Sequence, residues 1–290
     1  MQDIKWDQAL RFRLIEIIAL WEGRLTTNHL CSAFRIGRQQ ASRDINKYQN
    51  LFDTPPLELD RSIKGYKPAA SFSPRFSQGT ANEYLTFLHQ QNQIVESFDF
   101  FEMGHAESAV LMVPERSISP IIVRSLIQAA REQRRVDIDY VSLSTPKIVG
   151  RNIVPHTIVN DGIRWHVRAY CEHRSEYRDF VLSRFRNVPD LLDRSNYGRD
   201  RDTDWNEMAE IEVIPNPYLE PAQQKIIAED YGMNDGRLAI KSRNALVKYI
   251  VQRLNISLDE NQLCESPKAF QLTVKDREAI RPHMINSFIA

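Results

Sequence analysis

Few cysteines and glycines limit what this 290-residue chain can be. Its three cysteines, Cys31, Cys171 and Cys264, are too few and too scattered for a disulfide framework, and none belongs to a CxxC pair. Its ten glycines include no P-loop, GxGxxG or GxSxG motif. The cysteine usage is typical of a reducing compartment. The missing motifs argue against nucleotide-hydrolysing, dinucleotide-dependent and serine-hydrolase chemistry.

Long apolar runs and a leader peptide are missing too. The most apolar early stretch, residues 14–20, is short and interrupted by Glu16, whereas a membrane helix needs about 20 apolar residues. The N-terminus lacks a basic segment followed by an apolar one, so no secretory signal is predicted. We therefore expect a cytoplasmic protein with no membrane partner.

Charge of one sign does not dominate, because Lys+Arg and Asp+Glu both total 38. The charge is uneven along the chain, however. Residues 1–68 and 116–201 have net charges of +3 and +6, whereas residues 69–115 and 202–290 have −5 and −4. A neutral chain with basic blocks can still present a basic patch to nucleic acid. The length predicts two or three domains.

The first fifty residues show a helix-turn-helix pattern. Apolar spacing predicts a first helix over 6–21, ended by Gly23. Thr26 or Thr27 offers an N-cap for a second, short helix. A glycine turn then leads to a third helix over about 39–50, whose predicted apolar face is Ala41, Ile45, Tyr48 and Phe52.

The opposite face of the third helix is polar. Arginine can bond guanine, asparagine or glutamine can bond adenine, and lysine can bond phosphate, so this face suits the major groove. A solvated face on an ordinary surface helix would give the same pattern. A basic hairpin over 57–68 follows, with a turn at 60–62, and such a hairpin beside a recognition helix is a wing. Together they favour DNA binding.

The residues expected at DNA have two roles. Those expected to read bases are Gln39, Gln40, Arg43 and Asn46, and those expected to hold phosphates are Arg38, Lys47, Arg61 and Lys64. The predicted DNA-contacting set is completed by Thr27, Asn28, Ser42 and Tyr66.

Strands and tight turns follow a connecting segment. In that segment, residues 71–79 are expected to loop away from the wing, helices are expected over 81–91 and 119–133, and residues 94–114 alternate apolar and acidic character. Strands are then predicted over 136–140, 152–159, 163–170 and 178–185, and Asn160-Asp161-Gly162 is a hairpin signal. This pattern predicts a small β-barrel of Sm or SH3 type.

One strand pair carries a recognisable motif. Arg164-Trp165-His166-Val167-Arg168-Ala169-Tyr170-Cys171, followed by Phe180-Val181-Leu182-Ser183-Arg184-Phe185, resembles a WYL domain. Trp165-His166-Val167 stands where the family has Trp-Tyr-Leu, and the surrounding frame is kept. The whole chain is similar to winged-helix/WYL/C-terminal-extension regulators found beside BREX and CBASS phage-defence operons.

The resemblance implies a repressor whose WYL domain senses a nucleic-acid or nucleotide effector. Independently, Arg168, Arg178 and Arg184 could form a cluster suited to phosphate, with aromatic side chains available for stacking. The arginines could instead pair with Asp137, Asp139, Glu172, Glu176 or Asp179. The predicted ligand-binding set is Tyr140, Ser142, His156, Trp165, His166, Arg168, Tyr170, Arg178, Phe180, Ser183 and Arg184.

The C-terminal residues alternate strands and helices. Strands are expected over 210–214, 238–240 and 270–274, with helices over 221–231 and 244–254. This alternation is similar to the C-terminal extension that follows WYL domains, and its acidic balance favours contacts with protein, so we expect it to dimerise.

The resulting fold class is α+β and multidomain. The domains are expected to be a winged helix-turn-helix over 1–70, a helical linker or dimerisation segment over 71–118, a WYL effector-sensing barrel over 119–205 and a small α/β dimerisation domain over 206–290.

Enzyme chemistry and a metal both lack support. His29 with Cys31, and Cys171 with His173, are lone pairs, whereas a structural zinc site needs four ligands. Ser183 and His156 could serve as nucleophile and base, but no acid partner or oxyanion donor is placed beside them. We expect no catalytic residues, no metal and no cofactor.

The function expected from these features is a homodimeric repressor that binds an inverted-repeat operator in double-stranded DNA. An effector at the WYL domain would release it. The alternative is a nucleic-acid sensor or adaptor that binds mainly through the arginine face and uses its winged helix for protein contacts. Activation in place of repression stays open, because sequence does not encode the sign of regulation.

Overall fold

The structure is a computed structural model that describes residues 4–81, 83–88, 116–144 and 146–284. The chain divides into two compact units, residues 1–112 and residues 113–290. The prediction for 94–114 and the end of the predicted helix over 81–91 lie outside the described residues. None of the described helices is both long and apolar enough to cross a membrane.

The first unit begins with three helices: α1 (Trp6–Glu22), α2 (Thr27–Phe34) and α3 (Arg38–Gln49). Gly23 ends α1 in a left-handed conformation with φ 67°, and Thr26 caps α2 through a capping box with His29. The sequence predicted these boundaries to within one or two residues. The buried face of α3 is Ala41, Ile45 and Tyr48, as predicted, with Phe52 packed at its edge.

A two-stranded hairpin follows, made of β1 (Leu57–Asp60) and β2 (Gly65–Pro68). It is fixed to the helices by a backbone bridge in which Leu25 and Tyr66 exchange two 2.8 Å hydrogen bonds. Gly65 makes this approach possible, because a Cβ atom there would lie 2.8 Å from the carbonyl oxygen of Leu25. The hairpin is the wing that the sequence predicted.

Residues 71–79, which we expected to loop away from the wing, return to the helical core. Phe72 and Phe76 pack against that core, and Phe76 lies edge-on to Phe12 at 5.2 Å. The backbone N–H groups of Arg75, Phe76 and Ser77 all donate to the buried carboxylate of Glu16. The carboxylate thus supplies hydrogen-bond acceptors for three backbone N–H groups that belong to no helix or strand.

The second unit begins with α4 (Pro120–Glu132) packed on a five-stranded antiparallel sheet. The strands are β3 (Arg134–Tyr140), β4 (Val149–Asn160), β5 (Trp165–Cys171), β6 (Glu176–Val181) and β7 (Asp190–Arg194). Their order is β6-β5-β4-β3-β7, with one face buried under α4 around Leu126, Val136 and Val167.

The closed Sm or SH3-like barrel that we expected is not confirmed. Among the described residues β6 and β7 are the edges of the sheet, and no ladder joins them. The strand predicted over 178–185 ends at Val181, where a 3-10 turn over Leu182–Arg184 begins. A single bridge between Tyr140 and Phe185 then brings the chain back beside β3.

The C-terminal residues form an antiparallel sheet of order β10-β8-β9 covered by helices. Its strands are β8 (Met208–Pro215), β9 (Leu238–Arg243) and β10 (Leu272–Val274). The helices are α6 (Pro221–Asp230), α7 (Val247–Arg253), α8 (Glu260–Glu265) and α9 (Arg277–Met284), preceded by the short α5 (Thr203–Asn206). The predicted helix over 244–254 is a 3-10 turn, Asn244–Leu246, continued by α7. Neither α8 nor α9 was predicted.

Candidate nucleic-acid interface and sensor face

The outer face of α3 presents most of the residues expected to contact DNA. Its exposed members are Arg38, Gln39, Ser42, Arg43, Asn46 and Lys47, with Gln40 partly buried. Asp44, the helix's one carboxylate, is 1% exposed and lies 2.8 Å from the Arg11 guanidinium. The exposed charge on α3 is therefore positive, as contact with phosphate requires.

Contacts behind this face hold α3 against α1. The Arg11 guanidinium of α1 pairs with Asp44 at 2.8 Å, and the ammonium of Lys47 donates to Gln8 of α1 at 2.8 Å. The phenol of Tyr48 donates to Glu16 at 3.0 Å in the core. Helix α3 is thus fixed to α1 through its middle and its last turn, so its polar side chains project from a rigid support.

The remaining predicted DNA contacts lie on α2 and the wing. Asn28 is exposed and Thr27 half-buried at the start of α2, whereas Arg61 and Lys64 are exposed at the hairpin turn. Lys64 has φ 50°, a left-handed conformation that tightens the turn. Tyr66 is half-buried against the helical core, so most of its ring supports the wing.

The predicted ligand-binding residues separate into several places in the second unit. Tyr140 and Phe180 lie in the hydrophobic core, where their rings pack edge-on at 5.1 Å. The hydroxyl of Tyr140 accepts a hydrogen bond from the backbone N–H of Val181 at 2.9 Å. Burial leaves neither ring a surface that a ligand could reach.

Other predicted ligand-binding residues lie on or near the 3-10 turn over Leu182–Arg184 that follows β6. Arg184 lies on this turn, and its carbonyl accepts from the N–H of Val141. Ser183 lies on the same turn, and Ser142 is buried beside Ser144, with 3.0 Å between their hydroxyls. Trp165 is half exposed at the start of β5. Of the three arginines expected to cluster, Arg168 and Arg178 line one cavity, and Arg184 is not among the residues of that lining.

Arg168 is the centre of a buried ionic network on the sheet face opposite α4. Its guanidinium makes a bidentate contact with Asp202, at 2.5 and 2.9 Å, and a 3.5 Å contact with Asp179. Burial lowers the pKa of Arg168, but the carboxylates outweigh burial and raise it. The ion-pair alternative that the sequence left open is thus realised at Arg168, and Arg178 also pairs with Glu176 at 3.3 Å.

His156 joins this network because β4 has a bulge there. The register shifts between Pro155 and Thr157, which turns the His156 ring toward Asp202, 3.1 Å from Nε2. Burial raises the pKa of Asp202, but hydrogen bonds from His156 and Arg168 outweigh it and lower the pKa. The structure gives His156 an acid partner that the sequence did not locate, because Asp202 is 46 residues away.

His166 stacks on Tyr249 of α7, with ring centroids 4.7 Å apart. Its side chain is 1% exposed, and among the described residues neither ring nitrogen has a hydrogen-bond partner. Burial lowers the pKa of His166 against the opposing influence of Asp179 and Asp161. Burial thus favours the neutral imidazole, whose ring packs between the five-stranded sheet and α7.

Asp179 connects the same two domains by charge. Its carboxylate lies 2.8 Å from the ammonium of Lys248 and accepts a 2.7 Å hydrogen bond from the phenol of Tyr249. Burial raises the pKa of Asp179, but Lys248, Arg168 and His166 together lower it to about 2. Sequence reasoning missed Lys248 and Tyr249, because no local pattern ties α7 to a strand 69 residues earlier.

Three tyrosines form an aromatic cluster beside this network, where Tyr177 packs edge-on to His156 at 5.8 Å. Tyr170, which we expected to bind ligand, stacks on Tyr197 at 4.0 Å with an interplanar angle of 3°. Tyr177 packs edge-on to Tyr170, and the guanidinium of Arg201 lies over Tyr197 at 5.7 Å. Such a combination of rings and cations is typical of surfaces that stack bases.

These features define a class of protein. A winged helix precedes a WYL-type sheet with a helix-covered C-terminal domain packed against it, which is the architecture of a WYL-domain transcriptional regulator. Three family models match: the BrxR transcriptional regulator winged helix-turn-helix domain over 7–90, the WYL domain over 122–189 and the BrxR C-terminal dimerization domain over 208–280.

Relatives match over nearly the full length. A DNA-binding transcriptional repressor CapW of Escherichia coli is 34% identical over 96% of this chain and 92% of its own, and one of Pseudomonas aeruginosa is 33% identical over 97% and 93%. The chain belongs to the BrxR- and CapW-type family of WYL regulators. The protein is a regulator and not an enzyme, as the sequence predicts.

The proteasome accessory factor B/C (PafBC) of Arthrobacter aurescens is a more distant structural neighbour. It aligns at 12% identity with a TM-score of 0.32, covering 96% of this chain and 46% of that one. A similarity at this level adds nothing to the functional argument.

Proposed function

We propose that this protein is a homodimeric transcriptional repressor that binds an inverted-repeat operator through its two winged helices. The observation that carries the proposal is the outer face of α3, where polar and cationic side chains are exposed and Asp44 is buried. The wing beside it adds Arg61 and Lys64. The match to a C-terminal dimerization domain and the names of the CapW relatives support dimerisation and repression.

The proposal includes release by an anionic effector, a nucleotide or a nucleic acid, at the WYL domain. Arg168, Arg178 and the C-terminal Lys248 line one cavity on the outer face of the sheet, and this concentration of positive charge supports the proposal. Regulation of a phage-defence operon is the biological role that the resemblance to regulators found beside BREX and CBASS operons implies. An effector that changed the conformation of the WYL domain would change the affinity of the dimer for DNA.

A fluorescence-anisotropy titration tests the proposal. The full-length protein is titrated against duplex DNA from immediately upstream of its own gene and against a scrambled duplex, at several salt concentrations. Selective binding that weakens steeply with salt is expected, because binding releases counterions from the phosphates. Equal affinity for both duplexes would refute the operator-binding proposal.

The second candidate is a sensor or adaptor that binds nucleic acid mainly through the WYL face. The net charge of +6 over residues 116–201 favours it. Arg43→Glu and Arg178→Ala separate the two candidates. Loss of duplex binding only in Arg43→Glu supports the repressor, whereas loss only in Arg178→Ala supports the sensor. Arg178 is preferable to Arg168 for this test, because removing the buried Arg168 would leave Asp202 and Asp179 unpaired.

A further inference from the structure

A cavity of about 200 Å³ lies where the WYL sheet meets the C-terminal domain. We call it the junction cavity, and its polar lining includes Arg164, Arg168, Arg178, Asp179, Asp204 and Lys248. Strands β5 and β6 form one wall. The other wall is formed by the 3-10 turn over Asn244–Leu246 together with α7 and α9. The Lys and Arg side chains of the lining outnumber its two carboxylates, but each of them already pairs with a carboxylate: Asp161, Asp202, Glu176 or Asp179. An anionic ligand would therefore bind here by competing with one of these carboxylates.

Asp179 is the internal anion of this cavity. It is 7% exposed and receives contacts from the WYL sheet, through Arg168, and from α7, through Lys248 and Tyr249. The carboxylate neutralises part of the positive charge while no ligand is bound. A buried cation without such a partner would carry a desolvation cost, so Asp179 stabilises the buried Lys248 and Arg168.

We propose that the junction cavity binds the phosphate group of a small phosphorylated ligand, and that this phosphate competes with Asp179 for Lys248. This inference rests on the proposed function in one respect, namely that the effector is an anion. A terminal phosphate brings close to two negative charges, whereas Asp179 brings one. Arg164 and Arg178 each keep a side chain partly open to solvent at the lining, and guanidinium groups bind phosphate oxygens bidentately.

The size of the cavity limits the ligand. Sites for drug-sized molecules measure about 300–1,000 Å³, so a cavity of about 200 Å³ accommodates one phosphate and part of the group that bears it. A nucleoside monophosphate and the phosphorylated end of an oligonucleotide share this chemistry. Tyr177 also lines the cavity and offers an aromatic edge to the bearing group.

Competition at Lys248 would have a structural consequence. The contacts of Asp179 with Lys248 and Tyr249 join the sensing sheet to the domain that matches a dimerization model. A phosphate that takes Lys248 would weaken this connection. The ligand would thereby act on the two domains together, since each contributes part of the site.

Isothermal titration calorimetry of the full-length protein, at constant ionic strength and without DNA, tests the site directly. The probes are inorganic phosphate, adenosine monophosphate, a 5′-phosphorylated trinucleotide and adenosine. We expect binding of the three phosphates and no binding of adenosine. Tighter binding of the monophosphate than of the trinucleotide would identify a free nucleotide as the source, and the reverse would identify a chain end. Binding of adenosine as tight as that of its monophosphate would overturn the proposal.

Two matched variants locate the site. Lys248→Gln is expected to weaken phosphate binding about tenfold or more, because a charge-assisted contact is lost. Lys241→Gln removes the same charge from an exposed position of the same domain and should leave binding unchanged. Equal effects of the two substitutions would show that phosphate binding depends only on the net charge of the protein, and would overturn the proposed site.

Asp179→Asn tests the competition itself. Removal of the internal anion should tighten phosphate binding several-fold and should make the melting temperature rise more with added phosphate than in the wild type. Unchanged or weaker binding would overturn the exchange at Lys248. These measurements use no DNA, so their failure and a failure of operator binding are distinguishable.

Discussion

The phenolic oxygen of Tyr48 lies 3.0 Å from a carboxylate oxygen of Glu16, and both side chains are fully buried. Burial and the nearby Glu16 charge raise the pKa of Tyr48, so the phenol remains a neutral donor. The same carboxylate accepts from the backbone of Arg75, Phe76 and Ser77. One buried charge thus links the recognition helix, α1 and the segment that leaves the winged helix.

Tyr48→Phe removes one donor from this carboxylate and leaves the three backbone donors in place. We expect the free energy of unfolding of the first unit to fall by about 1.5–3 kcal/mol, which is the range for a hydrogen bond to a charged group. Urea denaturation measures the change, with the exposed Tyr231→Phe as the control. An unchanged denaturation midpoint would show that the phenol contributes nothing to holding α3.

Gly65→Ala should displace the wing. The new Cβ atom would lie 2.8 Å from the Leu25 carbonyl, so the backbone must shift at a cost of about 1–3 kcal/mol. We expect a lower melting temperature and weaker operator binding. Gly37→Ala is the control, because a Cβ atom there meets nothing within 4 Å. If both glycine variants bind operator equally well, the wing does not depend on this close approach.

Arg43 and Lys47 should differ in what they contribute at DNA. Arg43→Ala is expected to weaken operator binding by about 1–3 kcal/mol and to relax sequence selectivity, as loss of a base contact does. Lys47→Ala should weaken binding to all sequences and reduce the salt slope by about 1. Anisotropy titrations on operator and scrambled duplexes measure both. The assignment of roles fails if Arg43→Ala weakens binding to the two duplexes equally.

Asp202→Asn should destabilise the second unit by about 3 kcal/mol. Asparagine can still cap α5, but Arg168 would be left buried without its bidentate carboxylate, and removing one partner of a buried ion pair costs about 3–5 kcal/mol. Asp200→Asn, an exposed neighbour, should change stability by less than about 0.5 kcal/mol. Thermal denaturation compares them, and similar melting temperatures would contradict the importance of the buried pair.

Asp179 should make stability depend on pH in acid. Its pKa is lowered from 3.8 to about 2 in the folded protein, so its stabilising contribution is fully present above pH 4. That contribution, roughly 2 kcal/mol, is lost as the pH falls from about 4 to about 2. The difference in unfolding free energy between wild type and Asp179→Asn should therefore shrink over this range. A constant difference between pH 5 and pH 2 would contradict the prediction.

The repeating patterns of the sequence predicted the local structure well. Helices α1 to α3 and the wing were located within one or two residues because each combines an apolar period with a chemical boundary, such as Gly23 or Thr26. The short helices α8 and α9, of six and eight residues, were missed because each has too few turns for an apolar period to stand out. Strand β6 was predicted too long, since alternation continues through a 3-10 turn that sequence does not distinguish from a strand.

The surroundings of the predicted ligand-binding residues could be predicted only in part. Alternation along β5 placed His166 and Arg168 together, but it could not show that Asp202 and α7 would cover them. Tyr140 was grouped with them as an aromatic side chain available for stacking, yet its ring lies in the core. Long-range partners such as Asp179 and Lys248 depend on how two domains pack, which a pattern along the chain does not contain.

The stacking of His166 on Tyr249 makes the two domains of the second unit less interchangeable than their separate family models suggest. A regulator assembled by exchanging WYL domains between relatives would inherit a sheet face shaped for another partner. To function, such a chimera would have to carry residues 248–249 together with His166 and Asp179. Inheritance of the WYL domain and inheritance of the C-terminal domain are thereby linked.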